Sequence, residues 1–99
     1  VPPIDLTPQD LDIVREILAR YVPGRPVWAF GSRVTGRARR HSDLDLLIDA
    51  QELEDPARLG ELLDAFSLSD LPFRVDVVLL RRLAPEFAAQ VLAQRVALP

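Results

Sequence analysis

Two aspartates separated by one leucine, Asp43-Leu44-Asp45, lie a short way downstream of a glycine-serine pair, Gly31-Ser32. Side chains alternate between the faces of a strand. Asp43, Asp45, Leu47 and Asp49 therefore share one face, and Leu44, Leu46 and Ile48 share the other. Paired carboxylates on one face are oxygen donors of the kind that Mg²⁺ or Mn²⁺ prefers. A third carboxylate, Asp76, interrupts an apolar, β-branched-rich run within Phe73 to Leu80. An unpartnered carboxylate is costly to bury there. If the two strands are neighbours, Asp76 stands beside Asp43 and Asp45, and a bound cation relieves the repulsion among three charges. An Asp-x-Asp at a strand end is also often merely solvated. Asp49 reads as the end of the strand or a cap for the next helix, not as a fourth ligand.

Glycine at position 31 lets the chain turn sharply and lets a ligand approach its backbone. Ser32 then opens a short helix with its hydroxyl and nearby amides aimed outward. Such an arrangement binds phosphate through hydrogen bonds and the helix dipole. Ser32 also suits a plain N-cap. Arg33, Arg37, Arg39 and Arg40 form the one dense basic cluster. In the phosphate reading some of them, Arg33 included, neutralise a triphosphate or leaving pyrophosphate. Arg39 and Arg40 read as a solvated loop. Ser42 either joins the phosphate contacts or caps the turn into the strand. His41, the single histidine, belongs to the loop surface. Trp28 and Tyr21 occupy core-type positions and read as packing rather than base stacking. Phosphate turn and metal carboxylates together describe a site for moving a nucleotidyl group.

The elements that position these residues follow from pattern. Thr7 caps a helix that has Pro8 in its first turn and Asp10 near the positive dipole end. Leu11, Val14, Ile17, Leu18 and Tyr21 form its buried stripe, and Pro23-Gly24 ends it. Val27 to Phe30 is a short buried strand ending at Gly31. A short helix runs from Ser32 to about Gly36, residues 37–42 form a polar loop, and Asp43 to Asp49 is the second strand. Asp55-Pro56 starts a helix with Leu59, Leu62, Leu63 and Phe66 on one face. Leu71-Pro72 breaks the chain before the third strand, Phe73 to Leu80. Ala84-Pro85 opens the last helix, with Phe87, Val91 and Leu92 directed inward. Val96 to Leu98 adds a short edge strand. The order describes a sheet covered by helices, α+β or α/β.

Composition narrows the function classes. The chain has 99 residues, enough for one domain with a real core, over 1–99. Net charge is −3, so bulk electrostatics do not favour a nucleic-acid backbone, and the arginine cluster has no interleaved aromatics. No direct nucleic-acid binding is expected. Cysteine is absent, which excludes disulfides and thiolate metal sites. No apolar run approaches a bilayer span, and the first residues lack the basic start and apolar stretch of a signal peptide. No membrane association is expected. All basic residues are arginine, and lysine, asparagine and methionine are missing, a pattern read first as GC-rich coding bias.

Gly31-Ser32, the sequence Ser42-Asp43-Leu44-Asp45-Leu46 and the later Asp76 together resemble the polymerase β-type nucleotidyltransferase superfamily. The form Gly-Ser-Arg-x-x-Gly and the short chain resemble its minimal nucleotidyltransferase branch. The resemblance runs roughly from the first helix to the last. It implies an α+β fold with a small mixed sheet flanked by helices and the site at the sheet edge. It implies that Asp43 and Asp45 bind two Mg²⁺ ions. Asp76 would complete the metal site and help activate the acceptor hydroxyl, and Gly31 and Ser32 would hold the phosphates of ATP. Minimal members are often encoded beside a protein with a HEPN (higher-eukaryote-and-prokaryote nucleotide-binding) domain, in a pair that resembles a toxin–antitoxin system. The HEPN partner is typically an RNase toxin, silenced by transfer of AMP from ATP to a tyrosine hydroxyl. The resemblance therefore implies a cytoplasmic, Mg²⁺-dependent antitoxin enzyme whose partner supplies the acceptor. Two alternatives stand beside it: an antitoxin that only masks its toxin, and nucleotidyl transfer to a small molecule or an RNA end. A homo-oligomer could supply the surface that the latter would need.

Overall fold

The computed structural model describes residues 4–53 and 55–98. Helix α1 (Pro8–Tyr21) begins as its sequence dictates, with the Asp10 amide donating to the Thr7 hydroxyl at 3.1 Å. Strand β1 (Val27–Phe30) leads through Gly31 into α2 (Ser32–Thr35), which Gly36 ends in the left-handed conformation. Strand β2 (Leu44–Ile48) is followed by α3 (Arg58–Ser67), β3 (Val75–Leu79), a 3-10 turn over Leu80–Arg82, α4 (Pro85–Gln94) and the two-residue β4 (Val96–Ala97).

The four strands make one sheet in the order β3-β2-β1-β4. β1 runs antiparallel to both β2 and β4, and β2 and β3 run parallel. Parallel strands need a crossover, which α3 provides. The sheet is therefore mixed and flanked by helices, an α+β arrangement in which β4 lies at one edge as its pattern predicts.

Alternation along the strands divides the sheet into two unlike faces. Ala29, Leu44, Leu46, Ile48, Val75 and Leu79 pack with Val14 and Leu18 of α1 and with Leu62 and Phe66 of α3 to form the main core. Burying each of the larger aliphatic side chains is worth about 1.5–3 kcal/mol. The opposite face carries a small second cluster, Phe30 and Leu47 beneath Val91 of α4.

Several boundaries differ from the sequence reading. β2 starts at Leu44, so Asp43 precedes the strand, and β3 keeps only Val75–Leu79 of the expected run. α3 begins at Arg58 because Asp55 first makes a turn, its Oδ1 accepting the Ala57 amide at 2.9 Å. In α4 only Val91 is buried, while Phe87 and Leu92 stay 45% and 37% exposed. The apolar patch beneath α4 is too small to take a wider stripe, because carboxylates hold the rest of that face. Among the described residues no helix is long and apolar enough to cross a membrane.

Candidate active site

The register between β2 and β3 sets Asp45 directly beside Asp76. The register between β1 and β2 sets Asp45 opposite Phe30, the residue before Gly31. Glycine turn, Asp45 and Asp76 thus meet across three adjacent strands. Asp43, one residue ahead of β2, joins them at the strand's entrance.

Gly31 is required twice over. Its φ is +79°, a conformation that L side chains rarely adopt, and a Cβ there would collide with Asp45 Oδ2. The backbone of the turn consequently lies against the central carboxylate. α2 is a single turn of four residues with Gly31 as its N-cap and no side-chain cap bond. Ser32 is therefore the first helical residue rather than the cap. So short a helix has little macrodipole, and whatever the turn can hold must be held by its amides and the Ser32 hydroxyl. The Gly31 amide donates to Gln94 Oε1 at the end of α4, at 3.2 Å.

Asp45 sits where its charged form is disfavoured. Partial burial pushes its carboxyl up from the usual carboxylate range, the nearby Asp76 and Asp43 charges push it further, and Arg74 partly offsets them. Arg74 lies between the other two. Its Nη2 donates to both oxygens of Asp76, at 3.0 and 3.2 Å, and its Nε stands 3.9 Å from Asp43 Oδ2. The hydrogen bond to Asp76 and the charges around it hold the guanidinium proton more tightly than usual.

Three carboxylates, two on neighbouring strands and Asp43 just ahead of one, with repulsion already visible at Asp45, are a donor set that suits a hard divalent cation. Their rotamers are not those of a closed cage. Among the described residues no three carboxylate or imidazole groups converge on one point as they stand. The cation that these groups do share is the Arg74 guanidinium.

Arg33 departs from its expected place at a nucleotide. Its side chain is only 6% exposed. Its guanidinium donates to the carbonyls of Asp5 (2.7 Å), Ser42 (2.8 and 3.0 Å), Arg40 (3.2 Å) and Arg39 (3.5 Å), and it stacks 4.1 Å from the Phe73 ring centroid. A buried guanidinium needs such partners, and the loop carbonyls supply them. Arg33 therefore shapes the 39–42 loop rather than reaching for phosphate. Ser42 takes the capping role: its hydroxyl accepts the Arg39 amide at 2.7 Å. Arg39 and Arg40 are exposed as expected, as is His41, whose Nδ1 lies 3.0 Å from the Pro72 carbonyl. Asp49 pairs with Arg81 at 3.3 Å, away from the cluster. Trp28 and Tyr21 pack against the two apolar clusters.

Two residues at the site escaped the sequence reading. Arg74 stands two positions before Asp76, a spacing that places both on one side of an extended chain. That signal was there to be read. Gln94 had none, because it reaches Gly31 only through the packing of α4.

Comparison with known proteins agrees with this geometry. The family model described as "Polymerase beta, Nucleotidyltransferase" matches residues 12–98. A Haemophilus influenzae protein named "Probable protein adenylyltransferase MntA" is 49% identical over 75 residues, which cover 76% of this chain. The match spans 66% of that relative, just under two thirds of its length. A solved toxin–antitoxin structure with AMP-PNP superposes with a TM-score of 0.72 at 27% identity, covering 91% of this chain and 73% of the other. A candidate minimal nucleotidyltransferase of known structure superposes with a TM-score of 0.65 at 36% identity, covering 89% and 88%.

Proposed function

Because the chain belongs to the polymerase beta nucleotidyltransferase family, we propose that it is a Mg²⁺-dependent adenylyltransferase and antitoxin. It transfers AMP from ATP to a tyrosine hydroxyl of a partner HEPN RNase toxin. The reading takes residues 1–99 as one minimal catalytic domain acting in the cytoplasm. The observation that carries it is the pairing of Asp45 with Asp76 beside a glycine turn that only glycine can make. Further support comes from the adenylyltransferase name of the Haemophilus influenzae relative and from the AMP-PNP in the similar toxin–antitoxin structure.

Asp43, Asp45 and Asp76 would hold the Mg²⁺ ions, two in this reading. When bound, Mg²⁺ supplies charge neutralisation at the phosphates and lowers the proton affinity of a nearby oxygen. The missing side chain at Gly31 lets the backbone of the turn, and with it a phosphate held by that backbone, lie close to Asp45. The Ser32 hydroxyl and the amides that a helix start leaves without intrahelical partners hold phosphate oxygens. The acceptor oxygen attacks the α-phosphorus in line. The bond from the α-phosphorus to the bridging oxygen breaks, and its electron pair leaves with pyrophosphate. The acceptor proton passes to the Asp76 carboxylate. In this reading Arg33 and Ser42 act on the nucleotide only indirectly, by shaping the loop that ends at Asp43.

The test is incubation with labelled ATP, Mg²⁺ and the protein encoded beside this one. Label is expected on a tyrosine of that protein and absent with an Asp43→Ala/Asp45→Ala variant. Transfer that survives in the double variant sinks the catalytic assignment. A double variant that no longer transfers label but still neutralises the toxin favours an antitoxin that works by masking.

A further inference from the structure

We propose that the Arg74 guanidinium is the resting counter-ion of the carboxylate site, and that a divalent cation enters by displacing it. This rests on the reading of Asp43, Asp45 and Asp76 as the metal ligands.

Arg74 holds Asp76 through both carboxylate oxygens and reaches toward Asp43 on its other side. It thereby occupies the gap that a cation shared by those two groups must fill. A guanidinium and a divalent ion bridging the same two carboxylates repel each other and compete for the space between them, and the guanidinium already takes a lone pair on each Asp76 oxygen. The side chain is also free to leave. It is 73% exposed, and exposed ion pairs contribute little, so structural stability does not hold it in place. The contrast with Arg33 is direct. That guanidinium is buried on backbone carbonyls and has no low-cost alternative position.

Competition between two cations has a measurable consequence. With Arg74 in place the three carboxylates carry one compensating charge; without it they do not. An ion that must displace this exposed pair forfeits only the pair's small free energy, so removing the guanidinium should tighten ion binding by about threefold to fivefold. The guanidinium therefore keeps the site from closing on free metal, so that entry of the ion is favoured when an anionic nucleotide arrives with it.

The experiment is titration of the nucleotide-free protein with Mn²⁺, followed by loss of the free-ion paramagnetic resonance signal. Arg74→Gln is expected to bind about threefold to fivefold more tightly than the parent, because it removes the charge and leaves a shorter, neutral polar side chain. Arg74→Lys, which keeps the charge, is expected to stay within about twofold of the parent. Circular dichroism of each variant establishes that it is folded, and the Gln and Lys variants serve as each other's structural control. Equal Mn²⁺ affinity for the parent and Arg74→Gln overturns the counter-ion role. So does equal tightening in Arg74→Gln and Arg74→Lys, because the effect would then not follow the charge. Mn²⁺ binding that survives intact in Asp45→Asn overturns the metal-site reading and this inference with it. Tightening in Arg74→Gln without AMP transfer by the parent would leave the inference standing and the adenylyltransferase reading in question.

Discussion

The two faces of the sheet share the same strands and are built on opposite principles. Under α1 and α3 lie Leu44, Leu46 and Ile48, all fully buried, with no charged group among them. Under α4, one residue out of phase, lie Asp45 and Leu47, and beside them Asp76 and Val78. There the apolar cluster is small, and part of the face is given to carboxylates that repel one another. One face holds the fold together and the other tolerates an arrangement that costs stability. A strand with a side-chain period of two can do both at once, since neither face has to yield residues to the other.

That contrast can be broken by experiment. The largest effect is expected from Asp45→Asn. Transfer of AMP should fall by about a thousandfold, roughly 4 kcal/mol, while the metal-free protein melts at the same temperature or higher, because a partly buried, repelled charge has gone. A melting point lowered as far as that of a core variant would show that the carboxylate face also supports the fold. The mirror experiment is Leu46→Ala, next in the chain and on the other face. It should cost about 2–5 kcal/mol in urea unfolding, with transfer per folded molecule retained.

Gly31→Ala comes next, since it touches both functions. Backbone strain at positive φ and the collision with Asp45 should cost about 1–3 kcal/mol of stability, and transfer should be lost along with it. Saturating Mg²⁺ should raise the melting temperature of the parent, as any ligand of the native state does, by about 2.7 kcal/mol of stability at a hundred times its dissociation constant. It should leave Asp45→Asn unmoved; a shift of equal size in that variant would place the ion elsewhere. The smallest effect is expected from Leu68→Ser. This exposed residue follows α3 and lies off both faces. Its replacement should stay within about 0.5 kcal/mol and change nothing in transfer.

Much of this division was legible in the chain itself. The Thr7 cap, the stripe on α1, the Gly31 turn and the in-out phase of β2 all follow from local chemistry, and each is found where it is expected. The misreadings share a cause. Phe87 and Leu92 look like core residues on helical spacing, but the patch that α4 covers accommodates only Val91 fully. Arg33 looks like a phosphate ligand by its position beside Gly31-Ser32. It is instead drawn inward by carbonyls at residues 5, 39, 40 and 42 and by Phe73. A side chain long enough to reach several sites is assigned by whichever site completes its hydrogen bonds, and those partners are scattered along the sequence.

By itself, then, the order of residues determined what kind of chemistry is available. It supplied oxygen donors in alternation, a glycine where the backbone must turn, and an apolar complement on the opposite face. These are properties of near neighbours, and they depend on backbone geometry that every strand and turn shares. Only the tertiary structure decided which carboxylates meet, because a parallel pairing through α3 could have matched Asp45 to another residue of β3. It also decided which arginine goes inside and which stays among the aspartates. Arg33 and Arg74 carry the same charge on the same side chain, and what separates them is the set of oxygens that folding brings within reach of each.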